Sequence, residues 1–208
     1  MSGRPVVIVL AAGKGSRFLG SNHKLAQSLG ALTVLGSTLQ QAIASQLQVV
    51  VVTTRALADV ACRSVAARDV IVLPEVGEPG ETALGMGYSI SVGVAAWPDA
   101  GGWLILPGDM PRVQPLTLQT VAQQLEHHAV AYAQYKGRRG HPVGFSPELY
   151  SELSALSGDE GARRLIARYP AFGVEVDDAG VLVDIDTQAD LDRVRSADVA
   201  VAALAPRG

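Results

Sequence analysis

The sequence predicts an α/β fold: a largely parallel sheet with helices on both faces. Three observations carry that expectation. Short apolar runs alternate with helix-period segments along most of the 208 residues. Runs such as Val6-Val7-Ile8-Val9-Leu10-Ala11 and Trp103-Leu104-Ile105-Leu106 are almost continuously apolar, as strands buried on both faces must be. Hydrophobic residues make up 48% of the chain but aromatics only 5%, which suits a core of Val, Leu, Ile and Ala.

Strands are expected near 5–11, 48–53, 69–73, 103–107, 129–134 and 173–176, with a short one near 182–185. Helices are expected near 37–46, 56–67, 83–96 and 115–127. Ser37-x-x-Gln40 and Ser157-x-x-Glu160 have capping-box spacing, in which each side chain satisfies a free N–H of the first turn. Ser146-Pro147 places a cap before a first-turn proline, and Thr187 caps a last helix over 188–196. The length suits one domain, taken as 1–196, with an Ala/Val-rich tail from 197 to 208 that is expected to fray. Residues 136–164, opened by the basic glycine stretch Lys136-Gly137-Arg138-Arg139-Gly140-His141-Pro142, interrupt the alternation. They read as an insertion covering one end of the sheet, followed by two short helices.

A net charge of −3 argues against a broad nucleic-acid footprint while leaving room for one basic pocket. The single Cys62 excludes an intramolecular disulfide and a multi-cysteine metal site. Met1-Ser2-Gly3-Arg4-Pro5 leads into a strand too short for a signal peptide, and no apolar run reaches membrane-spanning length; a cytoplasmic location without membrane contact is expected.

Ligands of open α/β sheets bind beyond the carboxyl ends of the strands, so the residues there come first. Gly13 and Gly15 leave backbone N–H groups free to curl round a phosphate, and Lys14, Arg17 and Lys24 supply positive charge. The competing reading is a tight strand-to-helix turn with solvated basic residues. A P-loop is excluded because Ser16-Arg17 follows Gly15, and the dinucleotide fingerprint because Phe18 stands at its third small position. Thr53-Thr54-Arg55 only weakly imitates an NADP phosphate site.

The 103–107 strand ends in Pro107-Gly108-Asp109-Met110-Pro111, where a carboxylate can take one position on Mg²⁺ or serve as a turn residue. Asp184 and Asp186, spaced by two, face one way on a strand; one of them can share that metal, the alternative being ordinary strand-end solvation. Gly85 to Gly93, with Ser89 and Ser91, offers hydroxyls and N–H groups to a base or ribose; the alternative is a flexible helix entry. His23, His127, His128 and His141 lack zinc-site spacing, and Arg163 with Arg164 fits either an anion contact or a solvated helix face.

Leu10-Ala11-Ala12-Gly13-x-Gly15-Ser16-Arg17 with Lys24-Leu25, Gly108-Asp109-Met110-Pro111 and Asp184-Ile185-Asp186-Thr187 together resemble the molybdenum cofactor nucleotidyltransferases, over roughly residues 6–195. Gly140-His141-Pro142-Val143, followed by Leu156-Ser157-Gly158-Asp159-x-Gly161-Ala162-Arg163, looks like the cytidylyltransferase branch. Ala12, where the guanylyltransferase branch tends to carry glycine, points the same way. Three features depart from the family pattern: Phe18-Leu19-Gly20 in place of Met-Gly, His141 in place of Asn, and Tyr88 within a serine run.

The resemblance implies a Rossmann-like fold of nucleotidyltransferase type. It implies transfer of a cytidylyl group from CTP to the terminal phosphate of molybdopterin, with Mg²⁺ as cofactor and a client molybdoenzyme as a candidate partner. It further implies Arg17, Lys24 and Asp109 as catalytic residues, with Arg17 on the β/γ-phosphates and Lys24 between the α-phosphate and the incoming phosphate. Leu10, Ala11, Ala12, Gly13, Gly15, Ser16, Gly85, Ser89 and Gly108 would line the nucleotide, and Gly140, His141 and Arg163 the acceptor. The metal falls to Asp109 with Asp184, Asp186 being the alternate. GTP-dependent transfer to the same pterin, transfer to a sugar or alcohol phosphate, and non-catalytic cofactor delivery are the competing readings.

Overall fold

The first strand, β1 (Val6–Ala11), lies in the middle of a seven-stranded sheet and pairs in parallel with a strand on each side. The computed structural model describes residues 3–13, 23–74, 85–159 and 161–204, with backbone alone from 199 onward. After β1 come a small antiparallel hairpin, β2 (Ser28–Leu29) and β3 (Leu32–Thr33), and then α1 (Val34–Ala44). The alternation continues through β4 (Gln48–Thr53), α2 (Arg55–Cys62), β5 (Val70–Val72), α3 (Gly85–Ala95), β6 (Trp103–Pro107) and α4 (Pro115–Gln124). The remainder is β7 (Val130–Tyr135), β8 (Arg138–Phe145), α5 (Tyr150–Ser154), α6 (Arg163–Arg168), β9 (Ala171–Glu175) and α7 (Gln188–Leu204).

The strand order is β5-β4-β1-β6-β8-β7-β9, and β8 alone runs antiparallel to its neighbours. The chain winds outward from β1 to β4 and β5, then returns across β1 to place β6 on its other side. That reversal opens a crevice between the carboxyl ends of β1 and β6, the place where doubly wound sheets bind ligands.

The sheet has an apolar layer on each face because side chains alternate along a strand. Val7, Val9, Val49, Val51, Leu104 and Leu106 face one layer, which Leu35 and Leu39 of α1, Leu118 of α4 and Leu191 of α7 help to fill. Val6, Ile8, Val50, Val52, Trp103 and Ile105 face the other, with Ile90 and Val94 of α3, Leu153 of α5 and Leu165 of α6. The α/β expectation, with helices on both faces of a mainly parallel sheet, therefore holds.

Four local expectations do not. The 182–185 strand does not form: a 3-10 turn over Ala179–Leu182 takes its place, started by the Asp178 carboxylate, which accepts from the Gly180 N–H at 2.9 Å. The 136–164 stretch is not wholly an insertion, since β8 occupies the sheet between β6 and β7. Its entry is the tight turn Lys136-Gly137, both at positive φ (49° and 73°), and the Glu175 carboxylate accepts from both turn N–H groups. Helix α1 starts at Val34 and is capped by Thr33, whose hydroxyl accepts from Gly36 N–H at 3.0 Å; Ser37 and Gln40 lie inside it. Ser157 caps no helix among the described residues, because α6 begins only at Arg163; Glu160 lies outside them.

The Thr187 cap is present. Its hydroxyl accepts from the Asp190 N–H at 3.2 Å, and the Asp190 carboxylate accepts in return from the Thr187 N–H at 2.7 Å. Helix α7 then runs past 196 to Leu204, so much of the expected tail is helical. No helix among the described residues is long and apolar enough to cross a membrane.

Candidate active site

Two strand ends and two later segments meet at the crevice. Gly108 joins the first two: its N–H donates to the Leu10 carbonyl at 2.8 Å, and its carbonyl accepts from the buried Thr38 hydroxyl at 2.9 Å. A Cβ on Gly108 would lie 3.0 Å from the Leu10 oxygen and 3.2 Å from Leu35, so glycine lets β6 finish close against β1. The segment that follows the 3-10 turn comes back to the same point, where the Ile185 N–H donates to the Asp109 carbonyl at 3.0 Å.

Lys24 stands at the centre of this junction. Its Nζ donates to Asp109 Oδ2 and to Asp186 Oδ1, both at 2.7 Å. The three side chains are only 13%, 17% and 32% exposed, so this is a shielded ion triad rather than a solvated surface contact. Burial opposes the lysine's charge, but the Asp109 and Asp186 carboxylates outweigh it and hold its pKa above the usual lysine value. Asp109 Oδ1 is buried and has no hydrogen-bond partner. A carboxylate left half-satisfied in this way carries a desolvation penalty that a bound cation would relieve.

Lys24 begins a short 3-10 turn, Lys24–Ala26, whose backbone is fixed by His23. The His23 Nδ1 accepts from the Leu25 N–H at 3.2 Å, and its Nε2 lies 2.8 Å from the Gly13 carbonyl. With Nδ1 accepting, neutral imidazole carries its proton on Nε2 and donates it to Gly13. His23 thus ties the end of β1 to the turn that carries Lys24. The sequence shows only that His23 lacks zinc-site spacing; its position directly before the lysine is the signal available there.

Other expected site residues divide. Leu10, Ala11, Ala12 and Gly13 line the end of β1, with Gly13 exposed and no atom within 4 Å of a Cβ added there. Lys14, Gly15, Ser16 and Arg17 lie outside the described residues. Asp186 shares Lys24 with Asp109, whereas Asp184 is exposed. His141 lies at the β8 end beside β6; burial of its ring pushes its pKa below the usual histidine value, partly offset by its hydrogen bond to the Ile105 backbone and by the Asp109 charge. Its Nδ1 is buried without a partner. Gly140 is buried against the 3-10 turn, where a Cβ would lie 2.2 Å from the Val181 oxygen. Arg163 is exposed on the first turn of α6.

Gly85 and Ser89 have local tasks as well. The Ser89 hydroxyl donates back to the Gly85 carbonyl at 3.2 Å. Gly85 has φ +78°, and a Cβ on it would meet the Gly158 backbone at 2.3 Å. The Gly87 N–H donates to the Gly158 carbonyl at 2.8 Å. Two motifs read separately in the sequence, one for the nucleoside and one for the acceptor, therefore dock directly onto each other.

The donors around the crevice are hard oxygens with a cation between them. Among the described residues no group of three or more His, Cys, Asp or Glu side chains could hold a metal ion. Two carboxylates suit an ion such as Mg²⁺, which keeps several waters and takes its other ligands from substrate phosphates.

A family model for the MobA-like NTP transferase domain matches residues 7–172, which takes in all but the first residue of β1, together with Lys24, Asp109 and β8. The chain belongs to that family. As a MobA-like NTP transferase it is a nucleotidyltransferase. It is 33% identical to the purine catabolism protein PucB of Bacillus subtilis (strain 168), over 91% of this chain and 95% of that one. Among solved structures it is similar to Rv0371c of Mycobacterium tuberculosis H37Rv, at 29% identity and TM-score 0.77, covering 93% of this chain and 98% of that one. The same protein in complex with manganese aligns at 28% identity and TM-score 0.75, over 94% and 100% of the two chains.

Proposed function

We propose that this nucleotidyltransferase moves a cytidylyl group from CTP to the terminal phosphate of molybdopterin, in the cytoplasm. A phosphate oxygen of the pterin attacks the α-phosphorus, the bond to the β-phosphate oxygen breaks, and pyrophosphate leaves with the bond's electron pair. The product is molybdopterin cytosine dinucleotide, handed on to a client molybdoenzyme. The observation that carries the reading is the Lys24 ammonium held between Asp109 and Asp186 at the crevice between β1 and β6. The choice of base and acceptor is supported by Ala12, by Gly140-His141-Pro142-Val143 and by the 156–163 motif, through the family resemblance.

A phosphate monoester has its second pKa near about 6, so the nucleophile is already ionised at neutral pH and no general base is needed. The work is to bring two anions together and to hold the departing charge. Lys24 does the first by bridging the α-phosphate and the incoming phosphate. The family resemblance gives the second to Arg17, on the β- and γ-phosphates, with Gly13 and Gly15 as backbone donors. Mg²⁺ on Asp109 and Asp186, the latter in the place the resemblance gives first to Asp184, would neutralise the triphosphate and the leaving group. The buried, unpartnered Asp109 Oδ1 fits such an ion. Gly108, Gly85 and Ser89 shape the nucleotide pocket. His141, Gly140 and Arg163 form the acceptor side, where neutral His141 can accept a hydrogen bond at Nδ1.

Pyrophosphate release with Mg²⁺ and molybdopterin, compared between CTP and GTP, tests the reading. Release with CTP alone is expected. Release with GTP alone would keep the mechanism and overturn the base assignment; release with neither would overturn the acceptor.

A further inference from the structure

We propose that Lys24 is a built-in competitor for the metal, so that the divalent ion is excluded from the free enzyme and admitted together with the nucleotide. This rests on the metal reading above and adds an order of events to it. The ammonium takes one oxygen from each of the two carboxylates that would hold the ion, at 2.7 Å each. A divalent cation cannot share that space with an ammonium without like-charge repulsion, and the low exposure of the triad leaves little water to screen it.

The lysine can leave without the backbone moving. The turn Lys24–Ala26 is fixed by His23, which bonds to both Leu25 and Gly13, so the mobile part is the four-carbon side chain. In the free enzyme the carboxylates are its nearest anions. A triphosphate in the crevice offers several more charges. When the ammonium moves to the phosphates, Asp109 loses its partner at Oδ2 while Oδ1 has none to begin with, and the charge that repels a divalent ion leaves both carboxylates. One side chain thereby couples nucleotide entry to metal retention, and the idle site does not hold a divalent ion.

The test is Mn²⁺ binding by the full chain, read from the electron paramagnetic resonance signal of free Mn²⁺, with no turnover. Wild type, Lys24→Met and Asp109→Asn are compared, each with and without a CTP analogue carrying a methylene bridge between the α- and β-phosphorus. Without nucleotide, Lys24→Met is expected to bind Mn²⁺ at least tenfold more tightly than wild type. The analogue is expected to tighten wild type by a similar factor beyond the Mn²⁺ the analogue binds alone, and to add much less to Lys24→Met. Lys24→Gln, which keeps hydrogen bonding but not the charge, serves if the methionine variant does not fold. Equal or weaker nucleotide-free Mn²⁺ binding by the folded neutral variant would overturn the competition, provided Asp109→Asn abolishes the binding that wild type shows with the analogue. Mn²⁺ binding by Asp109→Asn as tight as wild type's in the presence of the analogue would instead overturn the metal site itself, and the competition with it.

Discussion

Asp109 has two oxygens in different circumstances: one bonded to Lys24, the other buried with nothing to accept from. Replacing it with asparagine keeps the shape but removes the charge that anchors Lys24 and suits a cation. Asp109→Asn is expected to lower kcat about 10²–10³-fold, the scale of removing one preorganised electrostatic group from a transition state. Its circular dichroism and melting temperature should stay close to wild type, because the backbone links at Gly108 and Ile185 do not use the carboxylate. Wild-type turnover by the variant would remove Asp109 from the machinery. Lys24 and Asp109 are legible in the sequence because each sits just past an apolar run or a glycine loop. Their meeting with Asp186 is not, since 162 residues separate it from Lys24 and only the assembled fold brings the three together.

Helix α7 begins at a reciprocal cap that ties a stability effect to pH. The Thr187 hydroxyl, joined by its backbone N–H and the Arg193 guanidinium, outweighs burial and lowers the Asp190 pKa from 3.8 to about 2. The depressed folded value means that the carboxylate's contribution is complete above pH about 4 and is lost as pH falls through about 2. The melting-temperature advantage of wild type over Asp190→Ala is therefore expected to shrink between pH 4 and 2, and Thr187→Ala to cost about 1 kcal/mol at neutral pH. An advantage independent of pH would show that the ionised carboxylate contributes nothing. At the entry of α3, Gly87→Ala would bring a Cβ to 2.6 Å from the Ser157 oxygen. Overpacking of this kind costs about 1–3 kcal/mol in chemical denaturation. Periodicity located these helices, but not the docking at their ends: a glycine pair reads as flexibility until its neighbour is known. Strand β8 is hidden in the sequence for a related reason. Arg138-Arg139-Gly140-His141-Pro142 has the composition of a loop, and a proline argues against a central strand. A register irregularity opposite Tyr132 to Gln134 accommodates that proline, while Val143, Gly144 and Phe145 enter the core.

At the scale of the molecule, the order β5-β4-β1-β6 fixes the site more than any single motif does. Alternating apolar runs made that part of the sheet readable, because parallel strands buried on both faces leave a plain mark. The antiparallel β8 extends the sheet beyond β6 and sets Phe145 opposite Trp103, both with no exposed surface. Phe145→Ala is expected to cost about 3–5 kcal/mol of unfolding free energy by denaturant titration. A loss below about 1 kcal/mol, the range of most surface substitutions, would return 138–145 to the status of a covering loop. The same architecture brings the end of β1, Lys24 and the Asp109 and Asp186 carboxylates to one crevice, the place proposed for nucleotidyl transfer. The most direct measurement is transfer of label from [α-³²P]CTP to molybdopterin, by wild type and Asp109→Asn side by side. If transfer takes place at this crevice, wild type yields labelled pterin dinucleotide and the variant almost none. Equal labelling by both, or no labelled product from folded wild type, would contradict it.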